Sequence, residues 1–363
     1  MSHGRGAVGP RRRWRAALAV LAGLALAGCA QVGYLAQSVG GHLQVLQAAR
    51  PVSDWLADPA TPEPLRQRLQ LSQQMRDFAS AELRLPDNAS YRRYAELGRA
   101  SVVWNVVAAP ELGLQLQTWC YPVVGCVGYR GYYAQADAEQ AAAPLRAQGL
   151  EVQVYGVPAY STLGKLPGRW FADPLLNTFL NVPEADLARL IFHELAHQVA
   201  YAAGDTVFNE SFATAVERLG GERWLDAHGG AAARAAVAAQ DRRREEFRAF
   251  VLGVRDRLQA VYAGPGRDDE KRAAKAQVLA TMRTDYEQLK RERWGGFSGY
   301  DAWFARANNA SFAILGAYHG LAPNFERLFA REGGDFERFY AEVRRLAALP
   351  AATRRSEIEA LAR

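Results

Sequence analysis

The stretch FHELAHQ, residues 192–198, sets two histidines four apart around a glutamate. Four residues are about one helical turn, so His193 and His197 project from one face. Two imidazoles so placed can share one tetrahedral Zn²⁺. Glu194 lies beside them, able to take a proton from a water as general base. A catalytic zinc takes a third protein ligand and leaves a position for water. FNESFATAVE, residues 208–217, offers Glu210 and Glu217, seven apart and so on one face of a second helix. Twelve residues separate His197 from Glu210 and nineteen separate it from Glu217, and the residue types leave both open as the ligand. Asp205, just before this helix, can cap it or brace His197. His42 and His228 stand alone and read as surface or capping residues.

Several elements must position these groups. A helix starting near Pro183 carries Leu187, Leu190, Ile191, Leu195 and Val199 on one face and ends at Gly204–Asp205. LLNTFL, 175–180, reads as an edge strand that could pair with a substrate backbone. SVVWNVVAAPEL (101–112) and LEVQVYGV (150–157) read as strands. Between them DAEQAAAPLRAQG (137–149) reads as a helix stopped by Gly149. The segment 62–83 has helical spacing, and 91–99 reads as a further short helix. Residues 29–56 read as a tether and lead-in. Residues 230–293 read as a long helical hairpin turned by GPG at 264–266, and the chain is helical again from about 300. Phe247, Phe250, Val254 and Leu258 line one arm, and Leu279, Met282, Tyr286 and Leu289 the other. The fold class expected is α+β, helix-dominant, with one catalytic domain and the hairpin as an insertion.

The helix bearing H-E-x-x-H and the following NESFATAVE together resemble the gluzincin metallopeptidases. Zinc aminopeptidases of that group carry an N-E-G-F-A-x-x-x-E type motif, and here Ser211 replaces its glycine. The resemblance implies Glu210 as third ligand and Glu217 as an acid supporting a ligand histidine. The gap between His197 and Glu210 is shorter than in familiar gluzincins, where spacing alone would choose Glu217. With AYSTLG, FADP and a late NNA…Y, nearly the whole mature chain resembles bacterial lipoproteins described as predicted aminopeptidases. This implies a zincin-like core over 57–363, one Zn²⁺ per chain and a peptide or protein substrate. The G-x-M-E-N motif that holds a substrate amine in gluzincin aminopeptidases is absent. A zinc endopeptidase of the cell envelope and a non-catalytic zinc-containing envelope lipoprotein are therefore the alternative readings. Glu194 argues against the last, because structural zinc needs no general base. Tyr318 and His319, and also Tyr300, are candidates to stabilise an oxyanion.

The amino terminus reads as an address. Five arginines up to Arg15 precede AALAVLAGLALAG (16–28), a charge-free run. This is a signal-peptide pattern, shorter than the roughly 20 apolar residues a membrane span needs. LAGC at 26–29 matches a lipobox, which places a lipid anchor on Cys29 after removal of 1–28. Ala30 rather than Asp follows, and resemblance to Gram-negative lipoproteins then implies the outer membrane, facing the periplasm. Those five arginines come out of 44 basic residues, leaving 39 against 38 acidic ones. A nearly neutral mature chain gives no reason to expect nucleic acid. Cys120 and Cys126 remain, six apart, and an oxidising compartment favours their disulfide.

Overall fold

The computed structural model describes residues 33–121, 125–160, 172–317 and 321–362. Cys29 and the signal segment lie outside the described residues, as do Tyr318 and His319. Helices dominate and three small sheets complete an α+β architecture. Among the described residues no helix is long and apolar enough to cross a membrane.

Part of the stretch expected as a tether is helical: α1 covers 33–48, and its Val45 and Leu46 are buried. Burying such a side chain contributes about 1.5–3 kcal/mol, so this stretch packs with the folded unit. Strand β1 (Arg50–Pro51) pairs with β2 (Arg93–Ala95), and α2 (Val52–Ala57) and α3 (Glu63–Ala81) lie between them in sequence. The short helix expected over 91–99 is instead the strand β2. Tyr91 (φ 64°) and Gly98 (φ 62°) both sit in the left-handed region, which a right-handed helix cannot contain.

The central sheet has β3 (Val103–Pro110) between β6 (Arg130–Tyr132) and β7 (Leu150–Val157), both antiparallel to it. Helix α4 (Gln135–Ala147) covers one face, laying Ala138 and Ala142 on Val106 and Tyr132. Helix α11 (Asn309–Ala317) covers the other, with Ala310 and Ala313 on Val107 and Ala109. The NNA segment is the clamp here. Asn309 Nδ2 donates to the Pro110 and Glu111 carbonyls at 2.9 and 2.8 Å, and its Oδ1 accepts from the Tyr262 hydroxyl at 2.7 Å. A fully buried amide satisfied at both ends ties sheet to helices. The hairpin β4 (Trp119–Tyr121) and β5 (Gly125–Val127) is closed by the Cys120–Cys126 disulfide.

LLNTFL contributes only the two buried residues of β8 (Leu175–Leu176), parallel to β2, and then bends into α5 (Asn177–Leu180). Asn177 causes the bend: its side chain accepts from Leu97 N at 2.9 Å and donates to the Arg99 carbonyl at 3.1 Å. Leu175–Leu176 form an edge of the β1–β2–β8 sheet, so the edge expected of this segment is confined to two buried residues and ends where α5 begins.

Helices α6 (Glu184–Ala196) and α7 (Thr206–His228) lie at the centre of the main core. Leu187, Ile191, Phe192 and Leu195 meet Phe208, Phe212 and Val216, all fully buried. Two glycines set the approach: a Cβ on Gly220 would lie 2.9 Å from Phe192, and one on Gly221 2.7 Å from Arg189. Helices α12 (Ala322–Arg331), α13 (Phe336–Ala347) and α14 (Ala351–Ala360) close the far side, with Phe325 and Phe339 against Phe212.

The expected hairpin forms as α8 (Ala231–Ala263) and α9 (Asp268–Glu292). Val254, Leu258, Met282 and Tyr286 build a second cluster with Phe304 of α10 (Asp301–Arg306). Charged contacts dock α8 onto α6. Buried Arg189 makes a two-pronged pair with Asp241 at 2.7 and 2.8 Å, and Arg244 meets Asp186 at 2.9 Å.

Candidate metal centre

His193 lies in the last turn of α6, and His197 follows in the αR conformation (φ −59°, ψ −21°). The helix stops well before Gly204, because side chains take over its backbone. Asn209 accepts from Ala202 N at 2.8 Å and donates to the Ala202 carbonyl at 2.9 Å, folding the connection back onto α7. Gln198 fixes the turn from the other side, accepting from Asn88 at 2.6 Å and donating to the Ser90 hydroxyl at 3.1 Å. The histidines keep their common face, with ring centroids 4.9 Å apart.

Glu210 of α7 points between them. Its carboxylate oxygens lie 3.4 Å from His193 Nε2 and 3.8 Å from His197 Nε2. One ligand atom from each of His193, His197 and Glu210 falls within 4.8 Å of the others. Glu217, two turns on, contacts His193 Nδ1 at 3.1 Å. The two acids are thus sorted by position: Glu210 faces both histidines, and Glu217 holds the back of one ring. The short connection suffices because Asn209 draws α6 and α7 together beside the site.

Charge behaves as this packing requires. Burial opposes a charged His193, but hydrogen bonds to Glu210 and Glu217 outweigh it and raise its pKa. Burial, with His193 close by, pushes His197 down to about 4 and keeps it neutral, the form that ligates metals. Burial pushes Glu194 up to about 7, with Glu210, Asp173 and Glu217 adding repulsion. Two imidazole nitrogens and a carboxylate oxygen are a zinc-type donor set. A divalent cation would relieve the crowding of four carboxylates. The residues therefore fit a metal, and His197 Nδ1 is buried without a hydrogen-bond partner among the described residues. Side-chain exposures of 19% for His193 and 26% for Glu210 leave the centre open to solvent.

The other expected residues divide. Asp205 caps α7, accepting from Phe208 N at 3.0 Å, and its second oxygen takes Arg354 at 2.9 Å. It forms no bond to His197. Tyr300 begins α10 and stacks on Phe247 at 4.1 Å. His42 bonds the Tyr160 hydroxyl and His228 stacks on Trp224, so neither joins the cluster. Leu321, the first described residue after Tyr318 and His319, donates to Ser211 Oγ at 3.2 Å, next to Glu210. The serine that replaces the motif glycine is thereby a hydrogen-bonding post.

Further groups surround the centre that spacing did not reveal. Tyr91 holds a left-handed backbone, and its buried hydroxyl has no hydrogen-bond partner among the described residues. Burial raises its pKa, with Glu194 the next cause. Such strain and such an orphan atom collect at functional sites. Burial and Glu210 also raise the pKa values of Tyr129 and Tyr201. The disulfide hairpin reaches this wall, since a Cβ on Gly125 would lie 3.1 Å from Gly204 Cα. Arg189 alone had a visible signal, a charge four residues before His193 and so on the face of the histidines.

A family model described as "Putative aminopeptidase" matches residues 33–358. No curated protein and no solved structure matches the chain.

Proposed function

The match spans most of the chain, so the protein belongs to that family, and we propose that it is a zinc-dependent peptidase, an aminopeptidase, with a zincin-like core of the gluzincin kind. The observation that carries the reading is the convergence of His193, His197 and Glu210 within 4.8 Å beside the carboxyl of Glu194. Bound there, Zn²⁺ would supply Lewis-acid polarisation of a scissile carbonyl and a lowered water pKa.

The chain's own residues do the rest. Neutral His197 and the ring of His193, turned by Glu217, present nitrogen lone pairs, and Glu210 presents an oxygen. Glu194 makes no hydrogen bond or ion pair among the described residues and sits near neutrality at about 7. It is suited to accept a proton from the attacking water and return it to the leaving amine. The lipid anchor on Cys29, the periplasmic face of the outer membrane and the absence of nucleic-acid partners belong to the same proposal. They are supported by the signal pattern and by the near-neutral mature chain.

The test uses the chain from residue 30 onward, as wild type and as Glu194→Ala. Metal content is measured first. Hydrolysis of aminoacyl fluorogenic substrates and of blocked, internally quenched peptides is measured second. One zinc per chain, with turnover confined to free amino termini and lost in the variant, is the expected result. Cleavage of blocked peptides would make the protein an endopeptidase. Bound zinc with no turnover in either protein would return weight to a structural role.

A further inference from the structure

A second site adjoins the metal centre on the side of Glu217. Arg244, Phe247 and Arg248 of α8 share a face at helical spacing, and with Tyr300 and Leu315 they line a cavity of about 180 Å³. Arg248 lies in electrostatic range of Arg218, Glu217 and Tyr300. Glu217 in turn bonds His193. Arg244 at the pocket pairs with Asp186 of α6 at 2.9 Å, two turns before His193, so the pocket lies beside the helix that carries both histidines.

Among the described residues, the cations around this cavity are committed, Arg248 excepted. Arg218 pairs with Glu326 at 3.1 Å, Arg244 with Asp186 at 2.9 Å, and Arg189 with Asp241 at 2.7 Å. Arg243 lies over the Phe297 ring at 4.5 Å. Arg248 makes neither a hydrogen bond nor an ion pair among the described residues, although it is half-buried and burial lowers its pKa. Glu245, three residues back on α8, and Glu217 lie within electrostatic range of it but neither pairs with it, and a desolvated guanidinium held in no ion pair presents a fork that matches a carboxylate. Phe247, Tyr300 and Leu315 give the same cavity an apolar wall, and its volume suits a single side chain. Pockets that orient a ligand combine such apolar walls with one placed charge.

We propose that this pocket receives a carboxylate-bearing residue of the peptide substrate, its carboxylate held by Arg248 and its apolar part against Phe247, Tyr300 and Leu315. The assignment rests on the peptidase reading. It names the substrate class as short peptides whose terminal carboxylate, or an acidic side chain, lies close to the scissile bond.

The experiment uses the mature chain in the zinc-loaded form, as wild type, Arg248→Met and Arg248→Lys. The probes are leucylphenylalanine, its C-terminal amide, and an amidated tripeptide with glutamate at its second position. Equilibrium binding is read by calorimetry in a Glu194→Gln background, and kcat/KM is read in the parent background. Wild type is expected to prefer the free acid over the amide by about ten- to a hundredfold, the scale of a charge-assisted hydrogen bond. In Arg248→Met the ratio falls toward one at unchanged zinc content, and Arg248→Lys recovers part of it. If the glutamyl amide restores tight binding, the pocket accepts a side-chain carboxylate. If it does not, the pocket reads the C-terminal one. Equal binding of acid, amide and glutamyl amide by wild type overturns the proposal, as does a preference that survives in Arg248→Met. Arg248-dependent binding without hydrolysis would sink the peptidase reading and leave the carboxylate site standing. Hydrolysis indifferent to the carboxylate would do the reverse.

Discussion

At the scale of single residues, the two glutamates of α7 differ in kind. Glu210 lies against both histidines, whereas Glu217 touches only the Nδ1 of His193. Glu210→Gln should abolish stoichiometric zinc binding. Glu217→Gln should leave it stoichiometric but about 10–100-fold weaker, as competition with a chelator would measure. Equal losses would mean that both acids ligate. Glu194 makes a prediction about pH. Its carboxyl titrates near 7 in the metal-free fold, above its usual 4.5, so the folded state holds the proton more tightly than the unfolded chain does. The stability this confers is complete below pH 4.5 and is lost as pH rises through about 7. Metal-free Glu194→Gln should therefore be more stable than wild type at alkaline pH by about 1–3 kcal/mol. The two should converge in acid, and urea unfolding at both pH values checks this. The sign is that of an active site, where a catalytic group is kept at some expense to the fold.

At the scale of elements, the hairpin α8–α9 was readable from its 3–4 spacing and its GPG turn, because an amphipathic pattern is local information. Its docking was not. The partner of buried Arg189 is Asp241, 52 residues along the chain. Asp241→Asn leaves Arg189 buried with its charge uncompensated. Breaking a fully buried pair costs about 3–5 kcal/mol. Asp241 is itself 37% exposed, so the expected loss is smaller, about 2–3 kcal/mol. Denaturant unfolding measures it, and a change below about 0.5 kcal/mol would show that the pair does not hold the hairpin down. The departures at 91–99 and 177–180 share one cause. Both segments are decided by long-range partners, Asp173 for the Tyr91 backbone and Leu97 with Arg99 for Asn177, and no local pattern encodes them.

At the scale of the molecule, the folded unit begins by residue 33, and the lipobox cysteine precedes it by only a few residues. An anchor on Cys29 would hold the unit close to the membrane surface. Full-length protein should co-fractionate with membranes, and Cys29→Ser should release it or leave it unprocessed; a wild type found wholly in the soluble fraction ends the lipoprotein reading. The sequence by itself determined the proposed ligand pair His193 and His197, the proposed base beside them, the two acids of the next helix and the cysteine pair. Those depend on spacing along one helix or within one short loop, and helical geometry turns such spacing directly into proximity. Tertiary structure alone decided which acid faces both histidines, that Asp205 caps rather than braces, and that Tyr91, Tyr129 and Tyr201 surround the centre. It also left Arg248, among the described residues, without an ion pair at the pocket's edge. These facts depend on the packing of α7 and α8 against α6, where glycines, a buried ion pair and one asparagine set the approach. Packing of that kind joins residues whose separation in sequence carries no signal.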